Sequence, residues 1–133
     1  LHSDHGFGPD RSEATARLGS LERAGAPFAL HSDFNLVVTP LSPLLAAWCA
    51  VNRIGADGET VLAPGERISV DSALRAITID AAYILNRDDR LGSIEVGKHA
   101  DFTVLADDPY QVEPETLKDI EVHDTVLAGE STS

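Results

Sequence analysis

A short apolar segment at residues 28–31, Phe-Ala-Leu-His, runs into Ser32 and Asp33 and is followed by a proline-rich loop at residues 39–43. The apolar run predicts a buried strand. A strand that carries a carboxylate at its carboxyl end, in front of a loop and a helix, is the way in which α/β barrels present catalytic groups. Asp33 is therefore the first candidate for a catalytic residue.

The length of the chain limits how much of such a barrel it can form. With 133 residues, 43% of them hydrophobic, the chain can build one domain with a real core. A complete eight-stranded barrel needs roughly 250 residues. The chain also starts at Leu1 and contains no methionine. We therefore expect a processed or partial polypeptide.

The net charge of the chain limits the classes of partner that it can bind. Acidic residues outnumber basic ones by 22 to 10, which gives a net charge of −12 that is spread along the chain. Binding to nucleic acid or to anionic lipid needs clustered lysine and arginine, so we expect neither nucleic-acid nor membrane partners. No apolar stretch approaches the roughly 20 residues of a spanning helix, and no signal-peptide pattern is present. A soluble protein, with a cytoplasmic location favoured, is the expectation.

Periodicity predicts helices in the first part of the chain and strands in the second. Helices are predicted over residues 11–24 and 44–54, and a third begins at a Ser69 cap with one apolar stripe that runs to Leu85. Strands are predicted over residues 101–105 and 120–127. The chain thus divides near residue 88. The single cysteine, Cys49, lies in an apolar stretch and is predicted to be a buried thiol.

Seven short motifs resemble, in order, the C-terminal portion of the amidohydrolase superfamily, in its YtcJ-like branch known as amidohydrolase family 3. The pattern Gly-Ser-Ile-Glu-Val-Gly-Lys-His-Ala-Asp-Phe at residues 92–102 is the most specific of them. The other matching pieces are residues 8–11, 30–33, 40–44, 50–53, 68–74 and the pairs 77–78 with 81–82.

The resemblance implies an α/β fold and a metal-dependent hydrolase. Residues 1–88 would be the C-terminal part of a distorted (β/α)8 barrel, with its last strand and the helices that follow. Residues 89–133 would be part of a small β-sandwich built from both chain ends. In this family the aspartate matched by Asp33 binds the catalytic metal or its water, acts as general base, and passes a proton to the leaving amine. The implied reaction is hydrolysis of a carbon–nitrogen bond in a small amide-type substrate.

The chemistry of Asp33 is consistent with that role. A metal such as Zn²⁺ lowers the pKa of bound water to about 7, and a carboxylate beside that water can shuttle its proton. The alternative is that Asp33 only caps a turn through bonds to nearby backbone N–H groups. Ser32 does not suggest a serine hydrolase, because adjacent side chains on a strand point to opposite faces and a triad must converge in space.

Two histidines are weaker candidates for the same site. His31 would share a strand face with Asp33 and could steer it or contact the substrate, although a histidine satisfied in the core is an equal alternative. His5 lies near where relatives carry a loop histidine that faces the substrate pocket. His2 and His5 do not have the His-x-His spacing of the superfamily. For Arg53 and Arg11, surface ion pairs are the default expectation.

The motifs do not complete a metal site. A binuclear member would need a His-x-His pair, usually a carboxylated lysine, and two further histidines, whereas the only lysines are Lys98 and Lys118 in the β part. A catalytic zinc takes three protein ligands. We therefore expect the chain to be inactive alone and to associate with the missing part of the barrel or as a homo-oligomer. The alternative is a catalytically inactive oligomeric α/β module.

Overall fold

A computed structural model of the chain describes residue 14 and residues 16–31, 41–55 and 58–132. Within these ranges the helices come first and the strands follow, so the α/β composition is confirmed. The elements are α1 (Leu18–Arg23), α2 (Pro43–Asn52), α3 (Val70–Ala76), α4 (Ile79–Ile84), β1 (Phe102–Leu105), β2 (Val122–Leu127) and β3 (Glu130–Ser131), with 3₁₀ turns at Pro64–Glu66 and Pro114–Asp119.

Helix α2 is the central helix of the described fold. Ser42 caps its start by accepting a hydrogen bond from the Leu45 N–H at 3.3 Å, and Pro43 occupies the first helical position, where its missing N–H costs nothing. The helix ends at Arg53, which has a φ of 58°, in the left-handed conformation that often terminates helices. The helix predicted over residues 44–54 is thus confirmed with slightly shifted ends.

The third predicted helix is two short helices. Ser69 caps α3 as expected, because its side chain accepts a hydrogen bond from the Ser72 N–H at 3.1 Å. The chain then breaks at Thr78, whose hydroxyl donates to the Leu74 carbonyl at 2.7 Å and competes with regular helix continuation. The predicted single stripe was therefore wrong at its end, since Leu85, just after α4, is exposed.

The sheet is antiparallel, in the order β1-β2-β3. Phe102 pairs with Val126 at one end of the β1–β2 ladder and Leu105 pairs with Val122 at the other. The strands β2 and β3 are joined by Ala128 and Gly129, which both have positive φ, as tight hairpins require. The first two strands were predicted, and the two-residue β3 was not.

The core joins the helical part to the segment before β2. Leu117 in the second 3₁₀ turn is completely buried in one cluster with α2, α3, Ile68 and Ile120. Two side chains of α2 fasten the same turn: the indole of Trp48 donates to the Glu115 carbonyl at 2.7 Å, and the amide of Asn52 donates to the Pro114 carbonyl at 2.9 Å. The division into residues 1–88 and 89–133 stays a prediction, and both sides contribute to this core.

Two predictions near the amino end need correction. Residues 28–31 do not form a strand; the Leu30 N–H donates instead to the Ala76 carbonyl at the end of α3, at 3.1 Å. The apolar run still has a burial role, because Phe28 and Leu30 pack against the core. The helix predicted over residues 11–24 is helical only over Leu18–Arg23 in the described part, and Ala16 has a φ of 49°.

Candidate active site

The predicted site residues lie at the edge of the described structure. His31 is the last residue of the described segment 16–31, and its side chain is exposed. Asp33, Ser32 and His5 lie outside the described residues, so their roles stay predictions. His31 and Asp33 were expected to share a strand face, but residues 28–31 do not form a strand, so strand alternation does not place the two side chains together.

The segment that leads to Asp33 is attached to helices on both sides. At its start, Gly25 has a φ of 65° and the Ala26 N–H donates to the Leu21 carbonyl of α1 at 3.0 Å. At its end, Leu30 is bonded to Ala76 of α3. The position of the segment therefore depends on how α1 and α3 are held.

A buried carboxylate holds α1 at one end. Glu66 accepts hydrogen bonds from the backbone N–H and the hydroxyl of Ser20, both at 2.7 Å, and pairs with Arg23 at 3.4 Å. The hydrogen bonds from Ser20 hold the pKa of Glu66 below its ordinary value. Gly19 allows this approach, because a Cβ there would lie 2.9 Å from the Arg67 carbonyl oxygen.

A second carboxylate ties the same helix to α3. Glu22 accepts from the N–H and the hydroxyl of Ser69, at 3.0 and 2.7 Å. Hydrogen bonds from the side chains of Ser72 and Ser69 lower the pKa of Glu22. Sequence reasoning missed both carboxylates, since their partners are more than 40 residues away in the chain. No local pattern reports such a pairing.

The Arg53 side chain bonds to two backbone carbonyls. Its side chain donates to the carbonyl of Leu62 at 3.1 Å and to the carbonyl of Ala16 at 3.3 Å. The Ala16 contact places this guanidinium just before α1. The expectation of a surface ion pair for Arg53 is not tested by these bonds, and Arg11 lies outside the described residues.

The family-specific pattern at residues 92–101 forms a turn held by its own side chains. Lys98 Nζ donates to Ser93 Oγ at 2.6 Å and lies 3.1 Å from the Glu95 carboxylate, to which the Ser93 hydroxyl also donates. These bonds, first that from Ser93 and then those from Lys98, lower the pKa of Glu95. Because the Ser93 hydroxyl accepts from Lys98 and donates to Glu95, Lys98 is not placed to take the proton of this serine and make it a nucleophile.

Glycine and aspartate in the same pattern have structural roles as well. Gly92 has a φ of 86°, and a Cβ there would lie 2.7 Å from the Ile79 Cα of α4. Asp101 accepts a hydrogen bond from the Ala128 N–H at 2.7 Å and so holds the β2–β3 hairpin. The spacing of the pattern therefore follows from turn geometry, not from a catalytic constellation.

Among the described residues, neither a cysteine nucleophile nor a metal site has structural support. Cys49 is exposed, which corrects the prediction of a buried thiol, and partial desolvation raises the pKa of its sulfhydryl. A raised pKa disfavours the reactive thiolate. The described residues contain no group of three or more histidine, cysteine, aspartate or glutamate side chains that could hold a metal ion. They do not by themselves fit the metal centre that the sequence resemblance implies.

Comparisons with known proteins place the chain among amidohydrolases. The model of the amidohydrolase family matches residues 2–132. An N-substituted formamide deformylase of Arthrobacter pascens is 38% identical over 110 residues, which cover 83% of this chain and 20% of that protein. The putative amidohydrolase YtcJ of Bacillus subtilis is 30% identical over 126 residues, or 93% of this chain and 23% of that protein.

A solved structure agrees at the level of the fold. The crystal structure of an amidohydrolase from Thermotoga maritima aligns with a TM-score of 0.64 and 23% identity over 92% of this chain and 26% of that one. The chain thus spans about a fifth to a quarter of the length of these relatives. The resemblance stated from the motifs is confirmed. In the described ranges, no helix is long and apolar enough to cross a membrane.

Proposed function

The chain belongs to the amidohydrolase family, and on that premise we propose that it is the C-terminal part of a hydrolase that cleaves carbon–nitrogen bonds of the amide type. The observation that carries the proposal is the family match over residues 2–132, which includes the segment with Asp33. The similarity to an N-substituted formamide deformylase supports an amide-type substrate. In the complete enzyme, residues 1–88 would close the barrel and residues 89–133 would contribute to the β-sandwich.

Asp33 is the residue to which we assign the proton transfers. Its carboxylate accepts a proton as water adds to the amide carbonyl and a new carbon–oxygen bond forms. The same proton then goes to the nitrogen as the carbon–nitrogen bond breaks, so the products are a carboxylic acid and an amine. Such general acid–base transfer contributes about 10²- to 10⁴-fold in rate. The anchoring of Phe28 and Leu30 in the core supports a fixed approach to this residue.

A divalent metal, with zinc as the first candidate, is part of the proposal for the complete enzyme. When bound, it would lower the pKa of the water to about 7. A catalytic zinc takes three protein ligands, and the described residues offer no group of three. Asp33 would be the ligand contributed by this chain, and the others would come from the rest of the barrel. The exposed position of His31 suits contact with the substrate; for His5 the assignment rests on the resemblance alone.

The test compares two neighbouring residues in the complete enzyme. Asp33→Asn removes a proton acceptor but little volume, and we expect it to reduce the kcat for N-substituted formamides by about 10²- to 10⁴-fold, measured as formate release. Ser32→Ala is the matched control and should keep near-wild-type turnover. A normal kcat for Asp33→Asn would reject the assignment, and a large loss for Ser32→Ala would point to a serine nucleophile instead.

The second candidate function, an inactive oligomeric module, rests on exposed apolar side chains. Ile94 and Val96 in the turn, Leu85 after α4, and Val104 and Val122 of the sheet are all exposed. Such surface is typical of a contact region with another protein segment. We expect the isolated chain to self-associate, more strongly at high salt, where the net charge of −12 is screened. A monomer at all salt concentrations in sedimentation would count against self-association and so against the oligomeric module.

A further inference from the structure

Glu66 is the buried charged residue among the residues that the structure describes. The proposed mechanism does not use it. A buried carboxylate is costly unless hydrogen bonds satisfy it, and here Ser20 satisfies both oxygens while Arg23 approaches one of them. These bonds link Glu66 to Ser20 of helix α1, 46 residues earlier in the chain.

The helix that Glu66 holds cannot be stable by its own hydrogen bonds. Helix α1 has six residues, far fewer than the roughly 12–15 that an isolated helix needs. Its N-cap residue, Arg17, makes no side-chain capping bond. The contacts from outside therefore determine its position, and the shortest of them are those from Ser20 to Glu66 and from Ser69 to Glu22.

The residues after α1 run beside α3. Glu22 is bonded to Ser69 at the start of α3, and Leu30 is bonded to Ala76 at its end. Seven helical residues span about 10 Å. The stretch from Glu22 to Leu30 is thus attached at both ends of α3, and Glu66 fixes the helix from which this stretch leaves. His31 and Asp33 follow within three residues of the second attachment.

We infer that Glu66 is a positioning residue, which acts through α1 and α3 to fix the segment at residues 26–31, which precedes Asp33 in the sequence. This inference rests on the proposed function of Asp33. Glutamine at position 66 keeps the volume but has one acceptor oxygen, so it cannot accept from both Ser20 groups while facing Arg23. A displacement of about 1 Å in a catalytic group can cost about 10²-fold in rate. In the complete enzyme, Glu66→Gln should therefore lower kcat by roughly 10- to 100-fold with little change in KM.

A matched control separates positioning from loss of stability. Trp48→Phe removes the hydrogen bond from the indole to the Glu115 carbonyl, a bond between α2 and the second 3₁₀ turn that involves no residue of α1. At a temperature at which both variants are folded, Trp48→Phe should keep its kcat. Equal losses of kcat in both variants would show a general structural effect and would overturn the inference.

A second readout does not depend on activity. In the chain itself, Glu66→Gln should speed hydrogen exchange of the Leu30 amide by about tenfold, the factor that corresponds to losing roughly one hydrogen bond. Trp48→Phe should leave that amide unchanged. Unchanged Leu30 exchange in Glu66→Gln would overturn the positioning inference even if Asp33→Asn is inactive. Normal turnover of Asp33→Asn would instead reject the proposed function, whatever the exchange shows.

Discussion

The turn at residues 92–101 is held by hydrogen bonds among its own polar side chains. The position of the segment at residues 26–31 depends instead on its bonds to helices α1 and α3. In the turn, Ser93, Glu95 and Lys98 bond to one another over five residues of sequence. In the segment, the Leu30 N–H donates to the Ala76 carbonyl. The helix before the segment is held by two carboxylate hydrogen-bond pairs, Glu66 with Ser20 and Glu22 with Ser69, whose members are more than 40 residues apart in sequence.

The difference shows that a sequence motif can be characteristic of a family for structural reasons or for catalytic ones. The pattern at 92–101 is the most specific mark of the family, yet its polar side chains have structural partners in the turn or the adjoining hairpin, as seen for Ser93, Glu95, Lys98 and Asp101. We assign the chemistry to Asp33, which sits in a much shorter motif. A long family-specific pattern is typical of a turn whose geometry requires several residues together. A catalytic role, by contrast, can depend on a single carboxylate.

The largest stability effect is expected in the core against which Phe28 and Leu30 of the segment pack. Leu117 is completely buried in the core beneath α2, so Leu117→Ala should lower the free energy of unfolding by about 2–5 kcal/mol. Leu127→Ala, at a side chain that is 60% exposed, is the control and should change it by less than about 0.5 kcal/mol. Urea denaturation of the two variants measures the difference. Equal effects would contradict the core described for the chain.

A pair of glycines tests the geometry of the turn. Gly92→Ala combines a positive φ with a Cβ 2.7 Å from the Ile79 backbone, and we expect it to cost about 2–4 kcal/mol. Gly97→Ala has the same backbone problem at a φ of 96° but open space around it, and should cost about 1 kcal/mol. Denaturant midpoints for both variants check the order. A larger loss at Gly97 would show that contact with α4 does not fix the turn.

Lowering the pH should reduce the stability of both regions over the same pH range. Hydrogen bonds lower the pKa of Glu22, Glu66 and Glu95 from the ordinary value of 4.5. A lowered folded-state pKa contributes stability that is present above the unfolded value and lost as pH falls through the folded value. These groups should therefore leave the urea midpoint unchanged from pH 7 to about 5 and reduce it below about 4.5.

Two variants assign that acid dependence to a region. Glu95→Gln removes the contribution of the turn, and Glu66→Gln removes the contribution of α1. Each should flatten the fall of the urea midpoint between about pH 4.5 and pH 3 relative to the wild-type chain. An undiminished fall in both variants would mean that other carboxylates carry the acid response.

Local patterns predicted the elements whose signals are local. The Ser69 cap, helix α2 and the strands β1 and β2 follow from capping residues and from apolar spacing. The apolar run at 28–31 was predicted as a strand because an apolar pattern reports burial and does not by itself report pairing with another strand. The single apolar stripe after Ser69 failed because the Thr78 hydroxyl interrupts the helix.

The features around the site that could not be predicted from the sequence depend on contacts between residues far apart in the chain. Glu22 and Glu66 look like ordinary surface carboxylates in sequence, and only the folded chain brings them to Ser69 and Ser20. Arg53 likewise finds its partners in backbone carbonyls, which no side-chain pattern reveals. Asp33 stays a prediction that rests on its motif and on the family match.

The most direct measurement compares Asp33→Asn with Lys98→Met in the complete enzyme, recording kcat and Tm for both. We predict that Asp33→Asn loses about 10²- to 10⁴-fold in kcat and keeps its Tm. Lys98→Met should lower the Tm by a few degrees and keep its kcat at temperatures well below unfolding, since Lys98 serves the turn. Full turnover in Asp33→Asn, or a comparable loss of kcat in Lys98→Met with unchanged Tm, would contradict the division between chemistry and architecture.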